Sequence, residues 1–239
     1  MSTPTTLLRV RIAGHTIGIL SNNPGTPKLF SHFIAEDDGT EPECVISVPK
    51  DEIEKRRADG FPRPYFLIMH DHISRWLLTQ DVLHVHASTL ICQGKAFLFT
   101  APSGTGKSTH TRLWEQVFGS EVKMINDDKP FVHVDKSGES TAYGSPWNGK
   151  HDIGNNASAP VGGICFLKQG KKNVIRKLER EEAFFLLLQQ VYIWDNFQDT
   201  QTILTLITKF LEKTPVWQLE CTPTLEAAQL AHDTMIAQS

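Results

Sequence analysis

The sequence predicts an α/β protein, with a mixed β-sheet core built around one glycine-rich loop and a small β-rich N-terminal subdomain ahead of it. Three observations predict it. Two apolar runs, Val82 to Cys92 and Ala96 to Thr100, are joined by Gln93-Gly94-Lys95 and lead directly into "FTAPSGTGKST" at Phe99 to Thr109. A helical stretch and another apolar run follow, so the order is strand, loop, helix, strand. Upstream, "LLRVRIAGHTIGIL" at Leu7 to Leu20 alternates apolar and polar residues about Gly14, as a β-hairpin does.

Taken in order, the hairpin is followed by two more strand candidates, Lys28 to Ile34 and Cys44 to Val48. "PKDEIEK" from Pro49 starts a helix, with proline and acids in its first turn, and a second helix spans Tyr65 to Gln80. Gln93-Gly94-Lys95 then turns a hairpin, a helix runs from Ser108 to about Phe118, and Val122 to Asn126 is a strand. Pro130 to Val134, Gly162 to Leu167 and Asn173 to Leu178 read as strands, and Glu179 to Val191 as an amphipathic helix. Asp199 to Lys213 is helical, Val216 to Glu220 extended, and Thr224 to Ala237 a last helix capped by Thr222 or Thr224. Composition shifts near Gln80, which divides the chain into an N-terminal subdomain over residues 1–80 and a core over 81–239.

A chain of 239 residues is long enough for one large α/β unit, and its net charge of -3 offers no basic surface for nucleic acid. Any phosphate must therefore be bound locally. Cys44, Cys92, Cys165 and Cys221 show no CxxC spacing, and the first three lie in apolar runs, as buried thiols of a reducing compartment do. No apolar run approaches the ~18 residues of a membrane span, and Met1-Ser-Thr-Pro lacks the regions of a signal peptide. The expectation is a soluble cytoplasmic protein with no membrane and no nucleic-acid partner.

A phosphate-binding loop requires Gly, four residues, then Gly-Lys-Ser/Thr. Ala101 stands at the first glycine, whereas Gly106, Lys107 and Ser108 fit. Small residues at Ser103, Gly104, Thr105 and Gly106 allow backbone N–H groups to turn inward around an anion, and the helix start at Ser108 and Thr109 adds its dipole. Lys107 sets a point charge against the β/γ-phosphates of ATP, and the Ser108 hydroxyl is a Mg2+ ligand. A methyl group at Ala101 is tolerated if φ there is negative. The competing reading is an ordinary Gly-rich turn, which seldom carries Gly-Lys-Ser directly after an apolar strand.

"MINDDKP" then places Asp127 and Asp128 at the end of the strand that follows the loop's helix. Adjacent side chains on extended backbone point to opposite sides, so one carboxylate can serve the metal while the other takes a proton from an attacking hydroxyl. The bland alternative is a solvated turn before Pro130.

These motifs together resemble the bacterial HPr kinase/phosphorylase family, whose core is related to the ATP-dependent phosphoenolpyruvate carboxykinases. The resemblance rests on His86 in "HVHASTLICQGKAFLFT", on "APSGTGKST" and on "INDDKP", over roughly Val82 to Val134, and continues more weakly to about Leu178. It implies a mixed-sheet P-loop core of the HPr kinase/carboxykinase type over residues 81–239. The implied activity is an ATP- and Mg2+-dependent serine kinase that acts on a protein or peptide, in a chain that forms a homo-oligomer. It further implies that Lys107 and Ser108 serve phosphates and metal, that Asp127 and Asp128 between them supply a base and a metal contact, either carboxylate being able to take either part and Asp128 being the metal candidate, and that His86 lies beside the transferred phosphate. A partly buried strand histidine is the alternative for His86, and an HxH metal pair with His84 lacks a third ligand.

The sequence also departs from that family. Its separate N-terminal domain is absent or reduced to the first 75 or so residues, and its partner-binding loop is replaced by "YGSPWNGKHDIGNN", Tyr143 to Asn156. Trp147 and Lys150 there combine an aromatic platform with a cation and are candidate substrate residues, against an ordinary exposed loop. Arg112, one turn into the loop's helix, is the best-placed arginine. Few arginines lie elsewhere, which disfavours carboxykinase chemistry on a small carboxylate. A regulatory ATP-binding module without transfer is the non-enzymatic alternative.

Overall fold

Two tight turns of the same kind organise the two sheets. Ala13 (φ 51°) and Gly14 (φ 87°) join β1 (Thr6–Ile12) to β2 (His15–Ser21), and Gln93 (φ 49°) and Gly94 (φ 78°) join β5 (Ala87–Cys92) to β6 (Lys95–Thr100). Two successive left-handed residues match the twist of the flanking strands, and glycine takes the second position in both. The computed structural model describes residues 5–149 and 154–238.

The N-terminal sheet has three strands, with β3 (Cys44–Ser47) parallel to β2. Helix α1 (Thr26–Leu29) lies between β2 and β3, and α2 (Lys50–Ala58) and α3 (Pro64–Leu78) follow β3. Met69, Ile73 and Leu77 of α3 pack on Val10, Ile12, Ile17 and Ile19, and Val82 and Phe131 extend the same cluster. The stretch Lys28 to Ile34, which reads as a strand, instead forms α1 and a turn. Pro27 lies in the first turn of α1, where its fixed φ suits a helix, and Phe30 and Phe33 are both buried at helical i, i+3 spacing. Only Ile34 keeps a bridge, to Val10.

In the larger sheet, nine strands run in the order β4-β8-β9-β10-β6-β5-β7, with β12 on β10 and β11 on β12. These are β4 (Val82–His84), β7 (Val122–Asn126), β8 (Phe131–Val134), β9 (Ser140–Tyr143), β10 (Ser158–Gln169), β11 (Val174–Lys177) and β12 (Val216–Cys221). Strand β10 holds the two halves of the sheet together. Its first residues pair antiparallel with β9, its middle pairs parallel with β6 after an irregularity between Val161 and Gly163, and its end pairs parallel with β12. The carboxyl ends of β6, β10 and β12 therefore share one edge, where open α/β sheets bind ligands.

Alternation along the strands supplies a core on each face. Phe97, Phe99, Cys165 and Trp217 face α4 (Lys107–Phe118) and α7 (Leu225–Ile236), where Trp114, Ala228, Ala231 and Met235 cover them. Leu98, Ile164 and Phe166 face the layer of α5 (Arg180–Leu188) and α6 (Phe197–Lys213), with Ile203, Ile207 and Phe210. The run Val82 to Cys92 is not one strand, because β4 pairs with β8 while β5 pairs with β6 and β7. Strand β9 was not anticipated: its four residues are too short a run to show a period. The four cysteines are free, with Cys92 and Cys165 buried and Cys44 and Cys221 half-buried. No helix among the described residues is long and apolar enough to cross a membrane.

A side chain at Gly163 would run into the Trp217 ring and the Pro215 carbonyl. Gly163→Ala is therefore expected to lower the urea-unfolding free energy by about 1–3 kcal/mol, the usual cost of overpacking, with an unchanged m-value.

Candidate functional site

The loop between β6 and α4 is shaped by two glycines. Gly104 (φ 81°) and Gly106 (φ 115°) are left-handed, a conformation that strains any other residue, and Thr105 N–H donates to Pro102 O at 3.2 Å. Gly106 caps α4 without a side-chain hydrogen bond, so the first-turn N–H groups are left for an anion. Ala101, at the position of the missing glycine, is absent from the left-handed residues, and its methyl is buried in the core. Ser103, Gly104 and Thr109 are exposed, while Thr105, Gly106 and Ser108 are half-buried.

Three charged or titratable groups meet at Lys107. Its side chain is buried, with only 7% of the residue exposed, and Nζ donates to Ala101 O at 3.0 Å and lies 3.0 Å from His86 Nε2. Burial lowers the Lys107 pKa, and the Asp128 charge opposes that shift. His86 sits in the break between β4 and β5, where Val85 N–H donates to Pro130 O, His86 N–H to Gln190 O and Ala87 N–H to Asp128 O. The Thr100 hydroxyl adds a bond to His86 O at 2.8 Å. Those bonds hold the His86 backbone between the 128–130 segment and Gln190, with the imidazole at the loop.

The same Nε2 is 3.4 Å from Asp128 Oδ1, and Asp128 Oδ2 is 3.3 Å from Lys129 Nζ. One ring nitrogen cannot accept from Lys107 and donate to Asp128 at once. With its proton on Nδ1 the neutral ring accepts from Lys107 at Nε2, whereas the Nε2–H tautomer or the imidazolium donates to Asp128. The hydrogen bond to His86 and the Lys129 charge hold the Asp128 carboxyl down at about 2, against the opposing effect of burial.

Asn126, the last residue of β7, fixes where the two acids point. Its fully buried amide accepts from Asp128 N–H at 2.9 Å and Lys129 N–H at 2.6 Å. On the other side, Nδ2 lies 3.0 Å from Asn148 Oδ1 and 3.2 Å from the Ser145 and Trp147 carbonyls. Asp128 is thereby turned toward His86, and Asp127 toward the following loop, where Oδ1 accepts from Gly149 N–H at 2.6 Å. A Cβ on Gly149 would fall 2.8 Å from Asp127 Oδ2, an oxygen that is buried and makes no hydrogen bond among the described residues.

Asn126, Gly149 and Gln190 were not among the candidate residues. An Asn two residues before a turn N–H is a known local signal, but nothing local marks Gln190. Trp147 is turned inward, its ring edge-on to His70 at 4.7 Å and to Phe30 at 6.0 Å. It packs the loop against α3, β8 and the turn after α1 instead of offering an open platform. Arg112 is exposed on α4, one turn after Ser108, and Lys150 lies outside the described residues. His84 turns away from His86 into the interior, 4.6 Å from the His70 ring. Among the described residues no group of three or more His, Cys, Asp or Glu could hold a metal.

Beside the loop, a cleft of ≈ 460 Å³ opens between Gly104–Gly106, Thr109 and Leu113 on one wall and Leu167–Gly170 and Cys221–Pro223 on the other. It lies at the shared carboxyl edge of β6, β10 and β12, and none of the Lys107 cluster lines it.

No family model matches the chain, and no curated protein matches it in sequence. Among solved structures it is similar to the Hpr(Ser) kinase/phosphatase from Coxiella burnetii, at 11% identity over 64% of this chain and 88% of that one, with a TM-score of 0.36.

Because its folded pKa lies below its unfolded value, Asp128 contributes stability that is complete above about pH 4 and is lost as the pH falls toward 2. Asp128→Asn is expected to remove about 1–2 kcal/mol of the parent's loss over that interval, allowing for solvent, as read by denaturant unfolding at successive pH values. Asn126→Ala is expected to cost about 1–3 kcal/mol at every pH, because it leaves buried N–H and carbonyl groups unpaired.

Proposed function

We propose that the protein is an ATP- and Mg2+-dependent phosphotransferase that moves the γ-phosphoryl group to a hydroxyl, a Ser side chain of a protein or peptide. The observation that carries this reading is the convergence of Lys107, His86 and Asp128 at the mouth of a glycine loop that opens a helix. In this reading the β6–α4 loop is a P-loop. Its N–H groups and Lys107 hold the phosphates, and the cleft beside Thr109 takes the nucleoside end.

The Ser108 hydroxyl and the Asp128 carboxylate are hard oxygen donors that fit Mg2+, an ion content with one or two protein ligands when phosphates supply the rest. Once bound, that ion neutralises charge developing on the transferred group. When the phosphates draw Lys107 away, the His86 Nε2 lone pair is released beside Asp128. The acceptor O–H bond then breaks as its oxygen bonds to Pγ, the bond from Pγ to the β,γ-bridging oxygen breaks, and ADP leaves. The proton passes to the His86–Asp128 pair, where Asp128 stabilises the imidazolium. Asp127 acts one step back, by holding the Gly149 loop.

Calorimetry with Mg·ATP and label transfer from γ-labelled ATP to the products of neighbouring genes test this reading. The parent should bind Mg·ATP and label one product on Ser. Lys107→Ala should lose binding, and Asp128→Asn should keep it while transfer falls by at least about 10²-fold. Undiminished transfer by Asp128→Asn contradicts the assignment, and binding without transfer to any candidate favours a regulatory module.

A further inference from the structure

A second, larger groove of ≈ 730 Å³ lies between α1, the start of α3 and the residues Pro146, Asn148 and Gly154, and has no lining residue in common with the glycine-loop cleft. Its apolar walls are Phe33, Phe66 and Leu67, its cations are Lys28 and Arg63, and the His32 imidazole lies beside them. No acidic side chain is among its described lining residues. All three side chains are exposed, and neither Lys28 nor Arg63 has an ion pair among the described residues, whereas Arg9, Arg75 and Arg176 elsewhere each hold a carboxylate. Arg63 is also fixed in the left-handed region (φ 53°, ψ 52°) immediately before Pro64, a conformation disfavoured for a non-glycine residue.

Two residues that line the groove, Asn148 and Gly154, also contact Asn126 of the candidate site. Pro146, Asn148 and Gly154 form one side of the groove, Asn148 Oδ1 takes the Asn126 amide at 3.0 Å, and the next residue, Gly149, holds Asp127. A chain lying in the groove would thus rest on the loop that flanks the acidic pair.

We propose that this groove docks the phosphoryl acceptor through a peptide segment of alternating acidic and apolar residues. The inference rests on the phosphotransferase reading for the identity of the occupant. The charge complementarity comes from the unpaired cations, and the apolar requirement comes from the phenylalanine and leucine walls. Unpaired rim charges of this kind set partner choice and association rate and are sensitive to salt.

Fluorescence anisotropy of fluorescein-labelled decapeptides tests the inference without requiring catalysis. Alternating Asp–Leu, Asp–Ser and Lys–Leu peptides are titrated with the full chain, and Mg·ATP binding is followed separately by calorimetry. The Asp–Leu peptide should bind at least about tenfold more tightly than either control, and rising salt should weaken it. Lys28→Glu with Arg63→Glu should weaken it by about tenfold or more, and the corresponding Gln pair should fall between. Mg·ATP affinity should be unchanged in both. Equal binding of the Asp–Leu and Lys–Leu peptides, or unchanged binding by the Glu variant, overturns the groove assignment while leaving the nucleotide site standing. Loss of Mg·ATP binding in the parent instead overturns the phosphotransferase reading.

Discussion

One buried side chain, the amide of Asn126, sets the geometry on which the candidate site depends. The backbone of β7 ends there, and two consecutive acids must leave the sheet in different directions. The Asn126 carbonyl oxygen gathers the N–H groups of Asp128 and Lys129, and its NH2 group faces the carbonyls of the 145–148 loop. A fully buried amide engaged at both ends is costly to disturb, because each lost partner leaves a desolvated group behind. The same residue therefore aims Asp128 at His86 and brings up the loop that receives Asp127.

The second constraint is the shared strand β10. By pairing with β9, β6 and β12 in succession, it turns one antiparallel unit and one parallel unit into a continuous sheet. Parallel neighbours end together, so the glycine loop after β6 opens beside the ends of β10 and β12, and the 460 Å³ cleft follows from that arrangement. The break between β4 and β5 belongs to the same design. Its three N–H groups find partners on Pro130, Gln190 and Asp128, and His86 is delivered to the loop from the opposite side.

Much of this was legible in the sequence, where the signal is local. The hairpins at Gly14 and Gly94 and the order of strand, loop and helix around Gly106 and Lys107 follow from turn chemistry and strand alternation, whereas Asp127 and Asp128 lie in a bend past the end of β7 and diverge through the Asn126 hydrogen bonds. The rest depends on partners distant in sequence. Val82 to Cys92 reads as one strand because its composition is uniform, and only Pro130, Asp128 and Gln190 break it. Trp147 reads as a loop aromatic, but the pocket of His70, Phe30 and Phe131 that takes its ring is assembled by three separate elements. Lys28 to Ile34 was a missed local signal, since Pro27 and the spacing of Phe30 and Phe33 both indicate a helical turn.

Under the proposed phosphotransferase reading, Lys107 exchanges its contact with His86 for phosphate and leaves His86 and Asp128 to face the transferred group. A crystal structure with Mg2+ and a non-hydrolysable ATP analogue tests it most directly. The account predicts the triphosphate wrapped by residues 103–108, Lys107 Nζ on a terminal phosphate oxygen, and His86 and Asp128 beside the γ-phosphate. A triphosphate bound away from this loop, or a Lys107 still held on His86 with the analogue present, would contradict it.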